Sequence, residues 1–322
     1  TCAMLRRVAG RLAAAAEAPQ WSETSAGALC GVSAGDLSPA LVWAHGLGGS
    51  CAADDARGVG ALLAPTVLQR RVLRLDLRGH GLSAAAHDPT RGPEQYTWPE
   101  LAQDFRRATC ATVSRGFFGG EAAGAAVALH AAAAATARGA PDAPPGLVMI
   151  RPPVLGPLWA AWQLRYEAVA AASERGAEAD PEGISAKGVD REARKRVLGQ
   201  SYSAAASEET GGDGASEGTP LWRAMQPEVY TAALRGHAAS QLPDAEALKA
   251  LAVGCPTLIL GVDGDPEHPV DAALDLASLL PGSELVLATD LREARETWAA
   301  KIGDFLQRAC MKESLTKRVM PQ

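Results

Sequence analysis

Short, almost uninterrupted apolar runs recur along this chain, separated by longer stretches of helical periodicity. That alternation constrains the fold more than any other feature. The runs are Ala28–Val32, Ala40–His45, Arg71–Leu75, Gly116–Gly119, Leu147–Ile150, Pro256–Val262 and Glu284–Ala288. Strands apolar on both faces belong in a sheet covered on both sides, the arrangement that parallel βαβ connections produce. Helices are predicted between them over about 52–64, 98–114, 123–138, 269–280 and 291–308. The fold class read from this pattern is α/β, with a mostly parallel central sheet flanked by helices.

The alternation stops after Arg151-Pro152-Pro153 and resumes at Cys255-Pro256-Thr257. Between them lie helical, tryptophan-containing stretches (Leu158–Ala171, Arg191–Leu198, Pro227–Leu234) and a small, polar, acidic segment near 205–219, expected to be a mobile loop. The chain thus divides into an N-terminal extension (1–24), a first part of the core (25–150), an inserted helical cap (151–245), a second part of the core (246–309) and a C-terminal tail (310–322). Trp159, Trp162 and Trp222 read as packing between cap and core, with the lining of a ligand cleft as the alternative.

A chain of 322 residues with 47% hydrophobic content can build one large α/β domain carrying an insertion. Its formal net charge of −6 argues against general nucleic-acid binding, which needs a basic footprint. No apolar run reaches the roughly 18–20 residues needed to span a bilayer. The six cysteines are scattered without a Cys-x-x-Cys pair, which favours buried thiols over a disulfide framework or a zinc site. Cys51, close to the candidate site, reads as a small buried side chain at a helix start rather than as a nucleophile. From Met4 to Leu12 the sequence is Arg-rich and Ala-rich, with no acidic residue before Glu17. That is the composition of an organellar transit segment, mitochondrial ahead of plastid, although a surface helix would look similar.

Three segments then occur in a fixed order. The first, Leu41-Val42-Trp43-Ala44-His45-Gly46-Leu47-Gly48-Gly49, is a strand ending in a His-Gly turn. The second is Leu75-Asp76-Leu77-Arg78-Gly79-His80-Gly81-Leu82-Ser83. The third, Gly119-Gly120-Glu121-Ala122-Ala123-Gly124, leads into the helical stretch Ala125–Ala132. Together they resemble the α/β-hydrolase superfamily, from about residue 26 to 308. The third has the form of the nucleophile elbow Gly-x-Ser-x-Gly, with Ala122 where that motif carries serine. The resemblance implies a mostly parallel sheet with an inserted cap, an oxyanion-hole-like pair of backbone N–H donors at Leu47 and Ala123, and turn glycines at Gly46, Gly120 and Gly124. It assigns the acid of the family's triad to Asp265, while the loop after the last strand, Ala288–Arg295, lacks the expected histidine. His268 is the nearest substitute, and His80 reads as structural. The resemblance calls for no cofactor and no metal.

A methyl group cannot attack a carbonyl, so residues 122, 265 and 268 read as vestigial. Glu121, one position off the elbow, reads as structural or surface rather than as a replacement nucleophile. The expected function is that of a catalytically inactive hydrolase-like protein serving as a structural or accessory subunit of a larger assembly, in an organelle if the N-terminus is a targeting segment. The alternatives are a serine-type esterase, should the residue at 122 be an artefact, and a receptor binding a small carbonyl or carboxylate ligand in the old pocket.

Overall fold

A computed structural model describes residues 22–26, 28–140, 142–154, 156–174, 225–265 and 267–319. The targeting-like N-terminal residues, Arg191–Leu198, the acidic segment near 205–219 and Trp222 lie outside the described residues.

Eight strands form one sheet in the order β1-β2-β4-β3-β5-β6-β7-β8. They are β1 (Ser22–Ala26), β2 (Leu29–Ala34), β3 (Ala40–Ala44), β4 (Val72–Leu75), β5 (Gly116–Glu121), β6 (Leu147–Ile150), β7 (Thr257–Val262) and β8 (Glu284–Ala288). β1 and β2 join antiparallel, and all pairs from β4 to β8 are parallel. β1 is a strand the apolar pattern did not announce. Its first four residues are polar and it sits at the sheet edge, largely exposed, so it carries no hydrophobic signature.

The central strands are buried on both faces because successive side chains alternate between two apolar layers. In β5, Phe118 joins the layer containing Val42, Leu73 and Met149. Its neighbour Phe117 joins the opposite layer, with Leu41, Val72 and Val148. The described helices are α1 (Cys51–Ala56), α2 (Val59–Leu62), α3 (Pro65–Leu68), α4 (Trp98–Thr112), α5 (Ala123–Ala137), α6 (Gly156–Glu174), α7 (Pro227–Ala238), α8 (Ala245–Gly254), α9 (Val270–Leu279) and α10 (Leu291–Val319). Helices α4, α5 and α7 cover the first face. α10 covers the second through Trp298, Ile302, Phe305 and Ala309, which recur at helical spacing.

The single helix expected over 52–64 is two short pieces, α1 and α2, followed by a third, α3, beyond that range. Gly58 breaks it in the left-handed conformation, with φ of 82°, and Pro65 starts the third piece. The helix expected over 291–308 continues to Val319, so most of the stretch read as a tail is helical. Within the inserted region, α6 packs against α7.

Candidate functional site

The site forms where the C-terminal ends of β3, β5, β6 and β7 meet beneath α6 and α7, the crevice position expected for a ligand in an open α/β sheet. At its centre is the turn from β5 into α5. Ala122 occupies it with φ of 52° and ψ of −121°, a backbone conformation costly for any residue with a side chain. The Ala122 N–H donates to the carbonyl of Ile150 at 3.0 Å, tying the turn to β6. The glycines on either side leave no alternative. A Cβ on Gly120 would meet Gly124 carbonyl atoms at 2.3 Å, and one on Gly124 would lie 2.2 Å from the Ala44 carbonyl oxygen. Strand, turn and helix therefore lie in backbone contact, and the methyl of Ala122 is held where the elbow exposes its side chain.

The turn after β3 is set by two buried imidazoles. His45 accepts the Leu77 N–H at 3.0 Å through Nε2, which leaves Nδ1 to donate to the Gly46 carbonyl at 2.7 Å. His80 accepts the Gly48 N–H at 3.2 Å and donates from Nδ1 to the Arg78 carbonyl at 2.8 Å. Burial, with His45 close by, pushes the pKa of His80 well down, which keeps it the neutral acceptor this turn requires. His80 is thus part of the turn's scaffold. Gly46 approaches the elbow so closely that a Cβ there would sit 3.3 Å from the Ala122 methyl. Leu47, Ala122 and Ala123 line one cleft.

Asp265 follows β7 with its carboxylate almost wholly engaged. Oδ1 accepts the backbone N–H groups of Glu267 and His268 at 2.9 and 3.0 Å. Oδ2 accepts Nη1 of Arg151 at 3.2 Å and lies 3.5 Å from Nδ1 of His268. Burial pushes this carboxyl up, but His268 and Arg151 outweigh it and hold it well below the usual carboxylate range. His268 lines the cleft with Ala122. The structure therefore brings Ala122, Asp265 and His268 to one place. In the position after β8, Asp290 caps α10 by accepting the Glu293 N–H at 2.7 Å.

Glu121 is 3% exposed and belongs to an ion-pair chain that sequence reasoning missed. Its Oε2 accepts Nη2 of Arg57 at 3.1 Å and its Oε1 accepts Nε of Arg151 at 3.0 Å, with a second, shorter contact from Arg151 Nη2. Burial raises its pKa, yet the two guanidinium groups more than offset this and leave the carboxyl below its ordinary value. Arg57 also pairs with Asp54 at 2.6 Å. Asp54 is itself pushed up by burial, with Glu121 adding to the effect. The sequence signalled only that a glutamate ending a buried strand needs a cation; the sheet register, which pairs Glu121 with Ile150, is what makes the residue following β6 the donor.

Cys51 is buried at the first position of α1, its N–H bonded to Oδ1 of Asp76 at 2.6 Å. Burial, with Asp76 adjacent, raises its thiol pKa far above the ordinary value, which removes it as a nucleophile. Among the described residues no disulfide forms, and no group of three His, Cys, Asp or Glu side chains is placed to hold a metal. No described helix is long and apolar enough to cross a membrane.

The cleft has a volume of about 260 Å³. Trp159 and Trp162 line it, and Trp162 lies 6.0 Å from the Tyr166 ring on the same helix. Trp159 lies 4.9 Å from the Trp98 ring and donates Nε1–H to the Ser240 carbonyl at 3.0 Å, so it packs cap against core as well as lining the cleft.

A family model described as alpha/beta hydrolase fold matches residues 39–290. No curated protein sequence matches the chain significantly. Among solved structures, the chain is similar to a thermophilic esterase from Thermogutta terrifontis, with 20% identity and a TM-score of 0.57 over 90% of this chain and 99% of that one. It is similar to the enol-lactonase from Burkholderia xenovorans LB400, with 18% identity and a TM-score of 0.58 over 89% and 100% of the two chains. A hydrolase from Pseudomonas aeruginosa is 21% identical, with a TM-score of 0.53 over 90% and 99%.

Proposed function

This chain belongs to the alpha/beta hydrolase fold family, and within it we propose a non-hydrolytic member that serves as a structural or accessory subunit of a larger protein assembly. One observation carries the loss of hydrolysis: the elbow keeps its constrained backbone but presents the methyl of Ala122. Asp265 and His268 remain together, yet there is no hydroxyl for them to activate. Arg151 also draws on Asp265, and it ties that carboxylate to Glu121 in place of a dedicated proton relay. A fold of this kind hosts many functions, so the enzymes it resembles do not argue for activity here.

The test is ester turnover by the unaltered chain on p-nitrophenyl acetate and butyrate, together with its native size in a gentle extract. The reading expects no rate above buffer and migration well above the 33.2 kDa of the chain with a constant set of companions. Saturable turnover would overturn the first half, and a free monomer in every preparation the second. The organellar setting rests on the Arg-rich N-terminal sequence alone, and imaging of a tagged full chain tests it.

A second reading has its own support. The cleft beneath α6 is open and has aromatic walls, and its lining includes Leu47 and Ala123, the two residues whose backbone N–H groups the family resemblance makes donors. A non-hydrolytic protein with such a cleft can still bind a small carbonyl or carboxylate ligand.

A further inference from the structure

The cleft is richer in cations than in anions. Arg57, Arg151 and Arg165 line it, against Glu121 and Glu267. The three arginines are not equivalent. Arg57 is committed to Asp54 and Glu121, and Arg151 to Glu121 and Asp265, so neither can take a new anion without stranding a buried carboxylate. Arg165 is held differently. Its guanidinium carbon lies over the Trp162 ring, 4.4 Å from the centroid, a cation–π contact that uses none of its N–H donors. Its one charged contact among the described residues is to Glu267, at 3.5 Å, and that carboxylate is 62% exposed. An exposed ion pair of that length contributes little and exchanges readily.

The walls specify the rest of the ligand. Trp98 donates its indole N–H to Nδ1 of His237 at 2.8 Å, and Trp159 donates its own to the Ser240 carbonyl, so the polar edges of both rings are satisfied. With those N–H groups engaged, the surface these two rings add to the cleft is apolar. Tyr166 stands edge-on to Trp159 at 6.0 Å, which gives a planar group a second wall. The volume of about 260 Å³ lies just below the usual range of ligand pockets, roughly 300–1,000 Å³, and suits a single ring rather than a long acyl chain. Glu121 and Glu267 disfavour a dianion such as phosphate.

We propose that the cleft takes a small planar aromatic monocarboxylate, its ring against Trp159 and Tyr166 and its carboxylate on Arg165 in exchange for Glu267. This rests on the ligand-binding reading of the same cleft. Arg165 acts as the residue that selects charge, at the cap side of the cleft and away from the elbow donors.

The experiment titrates the full chain with phenylacetate and with phenylacetamide by calorimetry at low salt, then repeats both with Arg165→Gln. Saturable one-to-one binding of the acid is expected, with the neutral amide at least roughly tenfold weaker. Arg165→Gln is expected to weaken the acid by roughly tenfold while leaving the amide unchanged. No saturable acid binding up to about 5 mM, or equal affinity for acid and amide, overturns the proposal, and so does unchanged acid binding by Arg165→Gln. The acid-to-amide comparison on the unaltered chain decides the matter even if the variant misfolds. Ester turnover in the parallel assay would overturn the non-hydrolytic reading instead, whatever the titration shows.

Discussion

Arg151 and Glu121 face each other across the ends of β6 and β5, with Nε of the arginine 3.0 Å from Oε1 of the glutamate. Glu121 is almost fully buried and Arg151 largely so. The same guanidinium reaches Asp265 after β7, so one side chain joins three adjacent strand ends at the elbow. A buried pair of this kind need not stabilise relative to an apolar pair, but removing one partner leaves a charge without compensation. Arg151→Met is therefore expected to lower the unfolding free energy by about 3 kcal/mol in urea titrations. Arg151→Met combined with Glu121→Met should cost less than the two single losses added together, by about 1 kcal/mol or more. Additivity would show that the pair is not coupled.

Ala122 bears a strain that a serine in the same turn would bear for a catalytic return. With φ at 52° and ψ at −121°, a residue without Cβ is preferred there. Ala122→Gly is expected to raise stability by about 1 kcal/mol, read as a shift in urea midpoint at constant slope. A loss of stability would mean that the methyl packs favourably enough to outweigh the strain.

Restoring the hydroxyl should not restore the reaction. Ala122→Ser places an Oγ at the elbow, but Asp265 remains shared with Arg151, and the segment after β8 supplies an aspartate cap rather than an imidazole. The variant is expected to stay at the buffer rate on p-nitrophenyl acetate. A rate that appears with serine and vanishes again in the Ala122→Ser/His268→Ala double variant would identify His268 as a working base.

The parallel sheet was legible in the sequence because strands such as β3, β6 and β7 are apolar on both faces, which only a doubly covered sheet explains. The elbow was legible through Gly120 and Gly124, whose backbone approaches no other residue permits. β1 was not, since an exposed edge strand of Ser, Glu and Thr leaves no periodic signal. The ion-pair chain of Arg57, Glu121 and Arg151 was also missed. It joins residues far apart in the chain, and the strand register that opposes Glu121 to Ile150 comes only with the assembled sheet.

Gly124 offers a direct check on that elbow. Its place beside the β3 carbonyls means that Gly124→Ala must push α5 away from the strand, since the obstructing atoms are backbone rather than the end of a flexible side chain. A loss of about 3 kcal/mol or more, or failure to accumulate as folded protein, is expected. Near-native stability of Gly124→Ala would contradict the close approach of helix and strand.

Acid should weaken the fold before its carboxylates titrate. Burial, with His45 adding to it, pushes the pKa of His237 down to about 3 from an ordinary 6.5, and its unprotonated Nδ1 accepts the Trp98 indole N–H. His80 and His130 are also held below their ordinary value, chiefly by burial. Each is neutral in the folded protein while the unfolded chain takes up a proton as pH falls through 6.5. Stability from these groups is therefore complete above that pH and declines below it, by up to about 1.4 kcal/mol per pH unit for each histidine. Glu121 and Asp265 have depressed values, so their contribution is intact above the ordinary carboxylate range and is lost only at lower pH. Urea midpoints should accordingly fall from pH 6.5 to 5 as the unfolded chain protonates these histidines, with Asp54, whose carboxyl burial pushes up, acting in the opposite direction. His237→Gln, whose amide oxygen can still accept from Trp98, should reduce that slope by up to about 1.4 kcal/mol per unit. A flat profile down to pH 5 would show that these imidazoles do not titrate on unfolding as their burial requires.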